Sequence, residues 1–234
     1  MMIINTRPEK QSAQLKSLAD DEGIEIRHIH LSQTKFKNLQ SNSIQKLENI
    51  SSYKNIIFTS QNSVTNGLKI LESFWRIDLL NHNFLTTGPA TSNKLLKKGI
   101  KSVFPDNFSS KGVLNLVRNN FPGKSLLFCG DNSNGFLQKE LGEDIEEIVC
   151  YEINYLIKEV KKITKDREII LIYNFGTIEF LINHLNNDIL ENKVFVVASE
   201  NIKQKIENES KRLEIYVSSK PTDKMMMSMA KNFI

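Results

Sequence analysis

Short apolar runs alternate along the chain with segments of helical period, a pattern that predicts strand and helix in regular succession and hence an α/β protein. Met2 to Asn5 read as an opening strand. Leu15, Leu18 and Ala19 mark the inner face of a helix that stops at Gly23, a residue suited to the left-handed position after a helix. Ile24 to Leu31 read as the next strand, and strand, helix and strand in that order predict the right-handed crossover of a parallel sheet. Ile44, Leu47 and Ile50 suggest a short helix before the buried strand Ile56-Ile57-Phe58. Thr59 to Ser63 then offer small polar residues before Val64, Leu68 and Leu71 begin a helical period. In an open α/β sheet such a turn lies at the carboxyl edge of the strands, where ligands sit and the first helical amides face a bound anion. Taken alone, the segment is read more simply with Asn62 or Ser63 as a plain helix cap.

The pattern recurs. Phe84 to Thr86 end in Thr87-Gly88-Pro89-Ala90-Thr91, beyond a loop carrying Trp75 and Asp78, and the following helix closes at Gly99. Val103-Phe104-Pro105 leads into the turn Asn107 to Ser110, and Leu126 to Cys129 into Gly130-Asp131-Asn132-Ser133. Gln33 to Ser41 is polar and without period, a candidate connector; Ile145 to Tyr155 is an unusually long extended run; Lys158 to Arg167 reads as a short charged helix. Written beneath the first half, the second half keeps the order of elements. Ile169–Thr177 stands under Ile56–Val64, Val194–Ser199 under Phe84–Gly88, Ile215–Thr222 under Val103–Ser110, and 125–153 matches 2–31. Two similar α/β domains follow, crossed by 31–41 and 145–155, with a cleft between facing strand ends as the default ligand site.

At 234 residues the chain is long enough for two modest cores. No apolar run approaches membrane-spanning length, and Met1-Met2-Ile3-Ile4 leads into a charged segment rather than a signal core, so a cytoplasmic address without a membrane partner is expected. Lys and Arg number 31 against 27 Asp and Glu, a net charge of +4 that leans toward acidic ligands. Its densest cluster, Lys94, Lys97, Lys98 and Lys101, lacks interleaved aromatics and reads as a solvated helix face, so no nucleic-acid partner is expected. Cys129 and Cys150 end apolar strands and read as buried free thiols. His28 and His30 share a strand face but lack the third and fourth ligands of a metal site, so no metal is expected. Nucleotide, zinc-protease and nucleophile-elbow motifs are absent, which leaves neither a redox cofactor nor a hydrolytic triad to be read.

Asn5-Thr6-Arg7-Pro8, Ile57-Phe58-Thr59-Ser60-Gln61-Asn62-Ser63-Val64, Thr87-Gly88-Pro89-Ala90-Thr91, Tyr151 and Lys220-Pro221-Thr222-Asp223, in this order, resemble the uroporphyrinogen-III synthase family over nearly the whole chain. The resemblance implies two flavodoxin-like parallel-sheet domains joined by a two-stranded linker. One is discontinuous, residues 1–32 plus 155–234; the other is inserted, residues 33–154. It implies cyclisation of the linear tetrapyrrole hydroxymethylbilane to uroporphyrinogen III, with loss of water and inversion of ring D, and with no cofactor. Because the substrate closes unaided to the uninverted isomer, positioning should dominate catalysis. The substrate carboxylates would meet Ser60, Gln61, Asn62, Ser63, Gly88, Ala90, Thr91, Gly130, Ser199, Pro221 and Thr222 at amide-bearing turns. Arg7 would pair with a substrate carboxylate or with an acidic neighbour of its own. Tyr151 would assist departure of the hydroxyl as proton or hydrogen-bond donor, against the alternative of a packed hinge tyrosine. A monomer is expected, with transient contact to hydroxymethylbilane synthase, the source of an unstable substrate.

The second repeat departs from the family pattern. Tyr173-Asn174-Phe175-Gly176 stands where a serine and small residues belong, Ala198-Ser199-Glu200-Asn201-Ile202 replaces a Gly-Pro-Thr-like turn, and no arginine follows Gly130. Glu200 would turn a negative charge toward a polyanion. A weakened or inactive module that binds a tetrapyrrole or another small anion is therefore the second reading. A two-lobed sugar or amino-acid receptor is the third, disfavoured because such proteins carry an export signal.

Overall fold

Strands that are apolar on both faces build two parallel sheets, because each sheet is covered by helices above and below. The computed structural model describes residues 1–74, 81–208 and 213–234; the loop with Trp75 and Asp78 lies outside the described residues. In chain order the elements are β1 (Met2–Asn5), α1 (Ala13–Glu22), β2 (Ile26–His28), β3 (Ser32–Phe36), α2 (Ser41–Glu48), β4 (Asn55–Phe58), α3 (Gln61–Ser73) and β5 (Asn83–Thr86). There follow α4 (Pro89–Leu96), α5 (Ser110–Asn119), β6 (Ser125–Gly130), α6 (Phe136–Leu141), β7 (Ile145–Tyr155), α7 (Ile157–Val160) and β8 (Glu168–Ile172). The chain closes with α8 (Phe175–His184), α9 (Asn187–Glu191), β9 (Lys193–Val197), α10 (Glu200–Glu207), β10 (Glu214–Val217) and α11 (Asp223–Ala230).

Contacts divide the chain into two units, Met1–Gln33 with Asn154–Ile234, and Thr34–Ile153. The sheet of the first runs β10-β9-β8-β1-β2, each pair parallel. That of the second runs β3-β7-β6-β4-β5, with the pairs β5–β4, β4–β6 and β6–β7 parallel. The equivalent strands of the two halves stand in the same order, and Val103 bridges Leu85 where β10 pairs with β9. In the second sheet a period of two sends Ile56, Phe58, Leu126, Phe128 and Ile148 to one core and Ile57, Leu85, Leu127, Cys129 and Ile145 to the other. Each such side chain contributes about 1.5–3 kcal/mol on burial.

Several elements differ from the sequence reading. The strand read over 24–31 contracts to β2, and the polar connector begins as β3, an edge strand with Ser32 buried and the rest mostly exposed. An edge strand is held by its backbone ladder, so its side chains show no clear period. The strand at Val103–Pro105 is reduced to a single bridge, since Pro105 has no amide to continue it. Of the helix at 158–167 only one turn, α7, forms.

At the amino edge of the first sheet Lys193 is fully buried. Its Nζ donates to Thr164 O at 2.8 Å, to Asp166 O and to Glu168 Oε2 at 2.9 Å, while Glu168 also accepts from Arg27. All three ammonium protons are used, which is what allows a lysine to lie inside a sheet protein.

Candidate active site

The turn after β4 is built around Ser60. As N-cap of α3, its Oγ accepts from Ser63 N at 3.0 Å, while Ser63 Oγ accepts from Ser60 N at 3.0 Å and donates to Ser60 O at 2.8 Å. Ser63 is thereby consumed within the turn and is fully buried. Ser60 is not, because its hydroxyl also lies 3.0 Å from the Tyr151 hydroxyl.

Tyr151 reaches this place through an irregularity in β7. Cys129 pairs with Val149 but Gly130 pairs with Tyr151, so Cys150 is an extra residue in the ladder. Strict alternation would send Cys150 and Tyr151 to opposite faces; with the bulge both join the core of Phe58 and Phe128. Gly130 makes room for the ring, since a Cβ there would lie 2.6 Å from two of its carbons. Burial raises the Tyr151 phenol above its ordinary value, and the Ser60 hydrogen bond only partly opposes this. The group therefore stays protonated at neutral pH.

Tyr151, Ser60 and Gly130 line a cavity of about 190 Å³ with Thr59, Ser110, Asn132, Ser133, Asn134, Gln138, Leu127 and Leu137. The lining is polar and uncharged, so an anion there would be met by amides and hydroxyls. Gln138 is oriented by Glu147, whose Oε2 accepts from its Nε2 at 2.5 Å and from Cys129 Sγ at 3.5 Å. Burial, and then Glu147, raise the Cys129 thiol, and burial pushes Cys150 up to about 12, so both thiols are inert. Asn132, Ser133 and Asn134 follow β6 as the other site turns follow their strands. The strand-end signal that singled out Ser60 covers them too, although only Gly130 was taken from that turn.

The remaining expected site residues are not among those that line this cavity. Gln61 opens α3 half-buried, and Asn62 Nδ2 donates to Thr34 Oγ1 at 3.1 Å. Gly88 and Thr91 are buried at the start of α4, with Ala90 exposed. Ser199 caps α10 without a side-chain bond, Pro221 is exposed, and Thr222 Oγ1 accepts from Met225 N at 3.4 Å as the cap of α11. Glu200, exposed in the first turn of α10, stabilises that helix through its dipole.

Arg7 has an acidic neighbour of its own. Its Nη1 donates to Asp223 Oδ1 at 2.6 Å, Tyr173 OH donates to the same oxygen at 2.7 Å, and the guanidinium lies 4.4 Å above the Tyr173 ring. The tyrosine that departs from the family pattern thus completes a partly buried cluster with Arg7 around the buried Asp223. His28 and His30 also have protein partners: Asn5 Nδ2 donates to His28 Nδ1 at 3.0 Å, and His30 Nδ1 donates to Arg7 O at 2.6 Å.

The family model described as Uroporphyrinogen-III synthase HemD matches residues 13–228. Among solved structures the fold is similar to a mutant uroporphyrinogen III synthase from the extremely thermophilic bacterium Thermus thermophilus, 13% identical, TM-score 0.67, covering 99% of this chain and 98% of that one. It is also similar to uroporphyrinogen-III synthetase from Helicobacter pylori, 14% identical, TM-score 0.66, covering 100% and 99%. No curated protein sequence matches.

Proposed function

The chain belongs to the uroporphyrinogen-III synthase family, an enzyme family of haem biosynthesis acting on a tetrapyrrole, and we propose that Tyr151 and the turn at Ser60 perform its reaction here. The reaction closes hydroxymethylbilane to uroporphyrinogen III. The carbon–oxygen bond of the hydroxymethyl group breaks, the hydroxyl leaves with a proton as water, and ring D is inverted through a spirocyclic pyrrolenine. Loss of water makes the enzyme a cyclising hydro-lyase.

One arrangement supports the assignment of roles, the 3.0 Å contact between Ser60 and Tyr151 at the cavity. Ser60 Oγ already accepts from Ser63 N and has one proton to give. When that proton goes to the Tyr151 oxygen, the phenol proton is free to point at the departing hydroxyl. A phenol raised by burial is a poor acid, so its part is a hydrogen bond to the leaving group rather than full proton transfer. A cavity of about 190 Å³ is smaller than the usual site for a drug-sized ligand and suits one pyrrole or one carboxylate arm.

The test is to generate hydroxymethylbilane in situ with its own synthase, add this protein, oxidise the products and separate the uroporphyrin isomers. A shift from isomer I to isomer III is expected; isomer I alone would overturn the reading. Among the described residues no helix is long and apolar enough to cross a membrane. The reading further includes a cytoplasmic monomer in transient contact with hydroxymethylbilane synthase. Sedimentation of the protein alone and mixed with that synthase tests the last two points.

A further inference from the structure

We propose that Phe108 contacts the substrate directly, as an aromatic wall on which one pyrrole ring of the tetrapyrrole stacks beside the cavity. The proposal rests on the family reaction and adds a residue to which neither the sequence pattern nor the cavity lining points.

Among the described residues Phe108 is the one non-glycine with a positive φ, 48°, a conformation its Cβ disfavours. The residue is nevertheless 51% exposed. A turn needing only a left-handed residue is filled at lower cost by glycine or asparagine, and a phenylalanine recruited for packing would be buried. Phe108 satisfies neither purpose, and a strained backbone that presents an apolar ring to solvent is the kind of feature found where a ligand is clamped.

The surroundings hold the ring in that position. Phe108 N donates to Pro105 O at 3.2 Å on one side, and on the other Ser109 caps α5 by accepting from Gly112 N at 3.1 Å. Phe104 packs against the ring with centroids 5.9 Å apart at 54°. Gly88 lies beside it, where a Cβ would make ordinary van der Waals contact, 3.4 Å from Phe108 Cβ and 3.7 Å from Cγ. Two residues beyond Phe108, Ser110 lines the cavity shared by Ser60 and Tyr151.

The chemistry of the substrate fits this division. A pyrrole of hydroxymethylbilane is a flat aromatic ring with acidic arms. The arms suit the uncharged hydrogen-bonding lining, while the ring needs an apolar face for offset stacking, which Leu127 and Leu137 cannot provide. Phe108 would supply that face, two residues before the cavity-lining Ser110.

The experiment compares the wild type with Phe108→Asn, Phe108→Leu and Phe108→Tyr, measuring KM and kcat on hydroxymethylbilane made in situ, together with thermal melting. Asparagine tolerates the left-handed region, so Phe108→Asn is expected to melt higher while KM rises about three- to tenfold and kcat changes little. Phe108→Leu raises KM in the same way without that gain in stability, and Phe108→Tyr keeps the wild-type KM. Unchanged KM in both the asparagine and leucine variants would overturn the proposal, and the leucine variant decides if the asparagine variant does not fold. If the wild type yields only isomer I, the family reaction fails independently. Binding of uroporphyrin III, followed by its own fluorescence, then decides on Phe108: weaker binding by the variants supports the contact, and equal binding overturns it.

Discussion

Ser60 Oγ and the Tyr151 hydroxyl, 91 residues apart in sequence, stand 3.0 Å from each other, joining the cap of α3 to the bulge of β7. Tyr151→Phe removes the phenol proton and leaves the ring packed. Turnover is expected to fall about ten- to hundredfold, the worth of one strong hydrogen bond in the transition state, with the circular dichroism spectrum unchanged. Full turnover in this variant would leave Tyr151 a packing residue.

Ser60→Ala is expected to cost both stability and rate. The lost cap lowers unfolding free energy by about 1 kcal/mol, read from urea denaturation. The rate loss should not add to that of Tyr151→Phe, because Ser60 acts through Tyr151; additive losses in the double variant would contradict this coupling.

Gly130→Ala tests the room made for the Tyr151 ring. A methyl 2.6 Å from two ring carbons must push the tyrosine or β6 aside, costing about 1–3 kcal/mol and displacing the hydroxyl from Ser60. Lower turnover with a lower melting temperature is expected; wild-type values for both would show that the ring moves freely.

Arg7 and Asp223 make a partly buried pair that ties the loop after β1 to the start of α11, with side-chain exposures of 19% and 2%. Arg7→Ala strands the carboxylate and should cost about 3–5 kcal/mol in chemical denaturation. If Arg7 instead served chiefly to bind substrate, the same variant would raise KM and leave the unfolding curve in place.

Alkaline stability follows from the buried phenols and thiols. Burial, with Glu146 beside it, raises Tyr53 from 10.0 to about 12, and burial raises Cys150 from 9.0 to about 12. Tyr151 and Tyr173 shift the same way, burial leading in each. A folded state that holds these protons more tightly than the unfolded chain has their contribution in full below the unfolded values and loses it as pH rises toward about 12. Melting temperature should therefore be insensitive to these groups near neutrality and fall from about pH 9 upward, with a shallower fall in Tyr53→Phe. An equal slope in that variant would exclude Tyr53 as a contributor.

The apolar runs Ile56–Phe58 and Ile169–Ile172, Gly23 after α1 at φ 65°, and the polar turn before Val64 are legible in the sequence alone as strands, a helix end and a helix start. These signals are local: burial on both sheet faces demands continuous apolar residues, and a helix start demands a cap. Ser32–Phe36 is harder to read, because an edge strand is specified by its neighbour's backbone. Asn132, Ser133 and Asn134 carry the right residue types, but composition does not separate a turn that lines a cavity from one that merely closes a loop.

Residue order along the chain was thus enough for the repeated α/β units and for the family. It did not decide which polar residues are left for a ligand. Ser63 is spent on its own helix cap and Arg7 on an aspartate 216 positions away, while Tyr151 meets Ser60 through an extra residue in β7 that shifts the side-chain register. A hydrogen bond or ion pair is set by distances that sheet order and packing create, and a local period of two or of 3.6 carries no record of them.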